Sequence, residues 1–389
     1  MVLHFSCTPS ARRMLWLALL QGLVFYAPVA TLYRQVRGVS LFQITLMEGI
    51  SLGLSIVLEL PWGIVSERIG YRRTLLFCSA LYLLSKIIFW QANGFFLFLL
   101  ERLLLAVVLA GFSGVDAAYL AAVTPSSQRQ RIFGLYEGAS TAGLLLADLC
   151  FSLLPPGDYS EAGLLTVFAY TAALLCAFGL KEVPCQQISQ KFSFQFFLSL
   201  FPKGRVILLL IGSALLLESC QTITVFFSQP LMTAAGFPPP LLGVLHGAMV
   251  LCGFSSLFSE HICRLMGRQN VLLLVSLCTA LVCLILALPL SWSILGLSLL
   301  LLRCTCGILA PLSLALRSEA VADAGSMAAR LSAQSCLMNL LAVVTNLFFG
   351  TAAQKSLSCG IIMGILFSLA AFIFFIIYCI PKRMIPSKR

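Results

Sequence analysis

Charge is what this sequence has least of: Asp, Glu, Lys and Arg make up 10% of its 389 residues, and only 14 residues are acidic. A soluble domain draws about a quarter of its residues from these four types, so a water-facing globule of this size is excluded. No polar stretch is long enough to fold as a catalytic domain beside the apolar bulk. The chain also lacks a G-x-x-x-x-G-K-[ST] loop, which excludes ATP-driven work by this chain alone, and it has neither a nucleophile elbow nor a zinc signature. Histidine is scarce, with three residues, and His246 stands alone in an apolar run. Cys304 and Cys306, two apart on a helix, point in different directions and make a poor metal pair. No metal and no other cofactor is expected. Most of the fifteen cysteines, among them Cys78, Cys150, Cys176, Cys278 and Cys283, lie inside apolar runs, where a reduced thiol packs as a small hydrophobe.

What is there is hydrophobic, at 60% of residues and a mean hydropathy of +1.01. A bilayer core needs about 20 residues of helix per crossing. The apolar runs predict twelve such helices, over 14–33, 41–65, 73–91, 94–123, 132–154, 161–180, 206–230, 239–259, 271–290, 293–316, 330–353 and 358–380. Arg12 and Arg13 precede a first run longer than the core of a signal peptide, so the first helix is expected to be retained. The longest break, 181–205, holds Lys181, Lys191, Lys203 and Arg205 among Phe192, Phe194, Phe196, Phe197 and Phe201. That composition suits a linker with a short interfacial amphipathic helix. The expected fold is therefore an all-α polytopic membrane protein whose twelve transmembrane helices form two pseudo-symmetric six-helix bundles, 1–180 and 206–389. A weak repeat agrees, since Gly70 and Gly267 occupy the same place in each half and each is followed by an apolar run.

Nineteen of the 25 lysines and arginines fall in connections on one side, against Arg34, Arg37 and Lys355 on the other. The positive-inside rule makes the first side cytoplasmic and puts both termini there. The formal charge of +11 is thus a topology signal rather than a nucleic-acid surface. The expected partners are the lipid bilayer, a small solute and protons, with no nucleic acid, and the expected state is a monomer in the cell (inner) membrane.

The connection after the second helix reads Gly63-Ile64-Val65-Ser66-Glu67-Arg68-Ile69-Gly70-Tyr71-Arg72-Arg73. Gly63 permits close helix approach, Gly70 permits a tight turn, and the charges sit at the membrane edge. This segment resembles the signature loop of the major facilitator superfamily, G-x-x-x-D-R-x-G-R-R/K, with Glu67 in the usual Asp position and Tyr71 in a commonly basic one. Upstream, Glu59-Leu60-Pro61-Trp62-Gly63 resembles the E-x-P-T-G form of one bacterial branch, with Trp62 in place of Thr. Ser113-Gly114-Val115-Asp116-Ala117-Ala118 resembles that branch's small-residue segment on the fourth helix. The resemblance implies a twelve-helix transporter in which the loop latches the halves together on the cytoplasmic side. Carried over, the latch is Gly63, Glu67, Arg68, Gly70, Arg72 and Arg73, with Asp116 either a partner of Arg72 or facing the central cavity.

Ionisable groups within a bilayer cost about 2.5 to 3.5 kcal/mol and face partners or a water-filled cavity. Three basic residues (Lys86, Arg102, Arg303) and seven acidic ones fall inside the expected spans. Helical rise puts Glu218 about 18 Å and Arg303 about 15 Å from their helix starts; both fall near the midplane. The superfamily's first, fourth, seventh and tenth helices line its cavity, so the resemblance lets Glu218 and Arg303 meet there, with Gln221 a turn away. They are read either as a substrate or proton site or as a structural ion pair. Glu48, Glu101 and Arg102 share a depth that allows pairing, Lys86 is expected to snorkel outward, and Gln21 is a cavity amide or an interhelical hydrogen bond. Glu137 and Asp148 on the fifth helix have no evident partner. The function expected is a proton-coupled secondary transporter of a small organic solute, with efflux of amphipathic compounds ahead of uptake. A proton-coupled importer of an organic anion held by Arg102 and Arg303 is the rival within transport. A receptor or assembly factor on a transporter-like scaffold is the rival outside it, and an enzyme is not expected.

Overall fold

The computed structural model of the chain describes residues 8–112, 115–125, 128–155, 157, 159–183, 204–320 and 327–380, with backbone alone at 59–61, 63–64, 66–67, 130, 327–329 and 332. Among them the helices run in the order α1 (Pro9–Val36), α2 (Leu41–Ile69), α3 (Tyr71–Gln91), α4 (Gly94–Val123), α5 (Arg129–Phe151), α6 (Ser160–Phe178), α7 (Val206–Ala234), α8 (Pro239–Met266), α9 (Arg268–Leu286), α10 (Trp292–Glu319), α11 (Met327–Ala353) and α12 (Leu357–Cys379). All but α5 contain a stretch long and apolar enough to cross a membrane. In α5 the carboxylates Glu137 and Asp148 and a run of Gly, Ala, Ser and Thr dilute the apolar residues, yet it is a continuous helix of 23 residues.

Three helices are not regular throughout. The first is α-helical over Pro9–Gly22, opens, and resumes as a short 3₁₀ turn, Ala27–Val29, and Ala30–Val36. Pro28 lacks the amide hydrogen that a continuous α-helix would use. In α7 a π-helical turn, Ile223–Phe227, separates Val206–Thr222 from Ser228–Ala234. In α8 a 3₁₀ stretch, Gly253–Phe258, precedes Ser259–Met266.

The chain forms two compact units. One comprises Met1–Ser40, Ile50–Gln190 and Pro238–Gly247, the other Leu41–Gly49, Lys191–Phe237 and Ala248–Arg389. In the first, Met14, Leu17, Leu75, Cys78, Val108, Tyr119 and Ala177 build the core from α1, α3, α4 and α6. In the second, Leu209, Leu216, Val271, Leu272, Leu309 and Phe375 build it from α7, α9, α10 and α12. These are matching helices of two six-helix sets, and the repeat extends to single residues. Gly70 (φ 96°, ψ 148°) and Gly267 (φ 82°, ψ 138°) each sit just before the next helix in a left-handed region that suits glycine. Arg13 donates to the Gly179 carbonyl at the end of α6, and Arg205 donates to the Ile380 carbonyl at the end of α12. Most of the expected linker 181–205 lies outside the described residues. Large apolar side chains such as Val57, Phe96, Leu175, Leu265 and Leu297 are exposed, as a lipid-facing surface requires.

Candidate functional site

The second unit gathers the polar groups of α7, α10 and α11. Glu218 lies twelve residues into α7, about 18 Å along it. Its Oε1 accepts a 2.5 Å hydrogen bond from Nδ2 of Asn346, whose own Oδ1 accepts from the Thr222 hydroxyl at 2.9 Å. Thr222 thereby fixes the orientation of the buried Asn346 amide, which points its donor at the carboxylate. Glu48, which belongs to this unit, is close enough for its charge to act on Glu218. Arg303 on α10 donates from Nη1 to Oε1 of the exposed Gln221 at 3.3 Å. Sequence depth brought Glu218 and Arg303 to one level and allowed an ion pair. Instead the carboxylate is held by one neutral amide and the guanidinium by another. Asn346 and Thr222 are the residues that sequence reasoning missed; their signal was an amide on the eleventh helix and a hydroxyl one turn beyond Glu218. The π-helical turn begins just past Thr222, and such turns recur at functional sites.

The remaining candidates sit in the first unit. The Gln21 carbonyl accepts a 2.7 Å hydrogen bond from the Tyr170 hydroxyl, and its buried Nε2 has no hydrogen-bond partner among the described residues. The Arg102 carbonyl accepts from Ser51 at 3.3 Å. Glu101 pairs with Arg34 at 3.5 Å, both side chains being almost fully buried. Arg34, counted above with the outer connections, is therefore an interior cation, because the chain resumes its helix at Ala30 and carries it inward. Lys86 does not snorkel either. It is 4% exposed, donates to the Tyr26 hydroxyl at 2.9 Å and lies over the rings of Tyr26, Tyr82 and Tyr170. The Tyr26 hydroxyl and the three rings supply its polar and π partners.

Around the signature loop, Arg72 donates to the Leu180 carbonyl at 2.7 Å and the Phe178 carbonyl at 3.4 Å, capping the C-terminus of α6. It does not pair with Asp116, whose carboxylate accepts from the Ala117 amide at 2.6 Å and from the Tyr136 hydroxyl. A Cβ on Gly70 would lie 2.8 Å from Oε1 of Glu182, so the glycine is needed for space as well as for its φ. Arg68 and Arg73 are exposed. The side chains of Glu59, Gly63 and Glu67 and all of Ser113 and Gly114 lie outside the described residues. Trp62 packs against α4, where a Cβ on Gly111 would lie 3.2 Å from its ring. Arg317, assigned to the inner connections by the sequence, is buried and donates to Gln334 at 3.2 Å and Ser335 at 2.8 Å on α11. Cys304 and Cys306 do diverge: the first meets the Cys252 thiol on α8 and the second the Cys220 thiol on α7.

Among the described residues, twelve helices, eleven of them long and apolar enough to cross a membrane, with charged side chains buried among them, define a multi-pass membrane protein. The family model of the Major Facilitator Superfamily matches residues 14–343, and the chain belongs to that superfamily. It is similar to an uncharacterised MFS-type transporter of Methanocaldococcus jannaschii, with 24% identity over 186 residues covering 45% of this chain and 48% of that one. The chain thus spans about half the length of the curated relative it matches. Among solved structures, the nucleoside transporter NupG matches with a TM-score of 0.75 at 16% identity, over 95% of this chain and 98% of that one. A D-xylose–proton symporter matches with a TM-score of 0.69 at 13% identity, over 93% and 97%.

Proposed function

We propose that this chain is a proton-coupled secondary transporter that carries a small polar organic solute by alternating access, in the cell membrane with its arginine-rich connections inside. The observation that carries the reading is the pairing of charge with neutral amide at Glu218 and Arg303. An ion pair between two side chains is already satisfied and gains little from a solute. An asparagine amide does not neutralise a carboxylate, nor a glutamine amide a guanidinium, so neither group is spent on an opposite side-chain charge in these contacts. Each can exchange or add a partner when a solute bearing an ammonium, a carboxylate or several hydroxyls arrives. Such a lining favours polar solutes over the amphipathic efflux substrates that composition alone put first. The similar structures named for a nucleoside transporter and a D-xylose–proton symporter put nucleosides and pentoses on the trial panel beside zwitterionic amino compounds.

The test is counterflow in proteoliposomes of the purified full chain, run across that panel with and without a pH gradient. One solute class is expected to exchange and to be concentrated when the gradient is applied. Glu218→Gln and Arg303→Gln are each expected to lower exchange at least tenfold, the loss of about one charge-assisted hydrogen bond of 1.5 to 3 kcal/mol, in chains that still fold. Absence of exchange for every class would reject the transporter reading, and unaltered exchange in both variants would reject the site.

A further inference from the structure

Asp148 and His246 form a charged contact that the solute site does not use. Asp148 lies near the C-terminal end of α5 with its side chain 2% exposed, and His246 lies on α8 with its side chain 22% exposed. Nδ1 of the imidazole is 2.9 Å from each of the two carboxylate oxygens. The helices are shaped for this contact. A Cβ on Gly243 would lie 2.3 Å from the Asp148 carbonyl oxygen and 2.5 Å from the Ser152 hydroxyl, and a Cβ on Gly247 would lie 3.6 Å from the carboxylate. Gly243, His246 and Gly247 are spaced i, i+3 and i+4, so they form one helix face. Two glycines let the backbones close in, and the histidine between them fills the gap toward the aspartate.

Among the described residues, the neighbours add no other charged group acting on Asp148. From α5 itself come Leu145 and the Ser152 hydroxyl, and α1 meets α5 through Gly22 and Leu19 against Ser140 and Gly143. Among the described residues, His246 is the sole charged or titratable group acting on Asp148. A buried carboxylate without a cation is costly, so the charge on the imidazole decides whether this crossing is favourable. With a proton on both ring nitrogens, the Nδ1–H donates to the carboxylate and the pair is neutral overall. Without the extra proton, one negative charge remains in a nearly dry place.

We propose that Asp148 and His246 are a proton-binding site, and that the proton taken up by the imidazole holds the outer ends of α5 and α8 packed together. Loss of that proton favours their separation, so the state of the crossing follows pH. This rests on the transporter reading in one respect: separation and closure of these helices is what gives the proton passage to one side. The linkage of a single proton changes the packed-to-separated ratio by at most about tenfold per pH unit.

The experiment is a pulsed electron-paramagnetic-resonance distance measurement on the full chain in nanodiscs without solute. Spin labels on non-canonical residues replace the exposed Leu153 and Leu241, which leaves the native cysteines in place. Between about pH 5 and about pH 8, spanning the range in which a free imidazole titrates, the short-distance population of the otherwise unaltered chain is expected to fall more than threefold. In His246→Asn and in Asp148→Asn it is expected to be the same at both pH values. A distribution that does not respond to pH in the otherwise unaltered chain overturns the proposal without any variant, and so does a response that survives both substitutions. A chain with this response that exchanges no solute in proteoliposomes loses the transporter reading and keeps the proton site. Gradient-driven exchange with pH-independent distances loses the site and keeps the reading.

Discussion

The most demanding prediction concerns the cation-rich cluster in the first unit. Arg34 and Lys86 are both buried, and Glu101 faces both, 3.5 Å from Arg34 and close enough for its charge to act on Lys86, as the Arg102 charge also does. More than one cation therefore shares the Glu101 charge. The excess is met by π faces: Arg34 lies 5.0 Å from the ring centre of Phe89 and 5.7 Å from that of Phe98, and Lys86 lies 4.9 Å from that of Tyr82. Each such contact is worth about 0.5 to 2 kcal/mol when desolvated. Glu101→Gln takes that shared charge away from both buried cations, and breaking a buried pair in this way costs about 3 to 5 kcal/mol. Arg34→Met leaves Glu101 with the Lys86 charge still acting on it. Its cost is set by lost π contacts and falls to about 1 to 3 kcal/mol.

The expectation is an ordering as well as two magnitudes. Glu101→Gln is the more damaging change by about 2 kcal/mol, and adding Lys86→Met to it recovers part of the loss, because an apolar side chain of similar length replaces an uncompensated ammonium. The assay is reversible unfolding of the purified chain from mixed micelles by sodium dodecyl sulfate, followed by circular dichroism. Equal losses in the two single variants, or a double variant no better than Glu101→Gln, would refute the reasoning that Lys86 and Arg34 compete for one carboxylate.

Two further outcomes follow from close approaches and caps. On α5, Gly143→Val is expected to reduce the yield of folded chain several-fold by size-exclusion, since a Cβ there would lie 2.1 Å from the Leu19 carbonyl oxygen and α1 would have to move away. Gly138→Ala on the same helix meets no atom within 4 Å and is expected to be neutral or to stabilise by up to about 1 kcal/mol. Arg72→Ala is expected to cost about 1 to 3 kcal/mol by leaving the Leu180 and Phe178 carbonyls without their charged donor, whereas Arg68→Ala, at an exposed position, is expected to leave unfolding unchanged in the same detergent titration.

The helices and the family were legible because both are written in one dimension. Apolar runs of the right length place the spans, and the ordered match from Gly63 to Arg73 depends on spacing alone. Helix ends were off by a few residues where polar ends stay helical, as at Ser66–Ile69 and Arg317–Glu319. The partners of the charges were another matter. Rise along a helix gives a residue's depth, and depth put Glu218 level with Arg303 and Glu101 level with Glu48 and Arg102. It says nothing about azimuth, which decides who touches whom. Glu101 on α4 met Arg34 on α1, Asp148 met His246 across 98 residues, and Arg317 turned from a presumed cytoplasmic connection into the side chains of α11.

Those azimuths sort the buried charges by what they can do. Arg34 with Glu101 and Lys86 is enclosed by side chains of its own unit, so moving any member costs stability and offers nothing to a solute. Glu218 and Arg303 are held by amides that carry no charge, and on the proposed function they are the groups that meet the solute. Asp148 with His246 stands between these extremes: the contact is charge with charge only while the imidazole carries its second proton. A chain that binds a solute at one place and a proton at another, on different helices, can couple the two only through helix movement. The π-helical turn after Thr222 and the glycine-lined crossing at Gly243 and Gly247 each lie beside a charged residue. Substitutions that regularise the helix at Ile223–Phe227 are therefore expected to separate the two activities. They should leave the pH response of the α5–α8 crossing intact while abolishing gradient-driven accumulation, and loss of both together would show that solute and proton share one site.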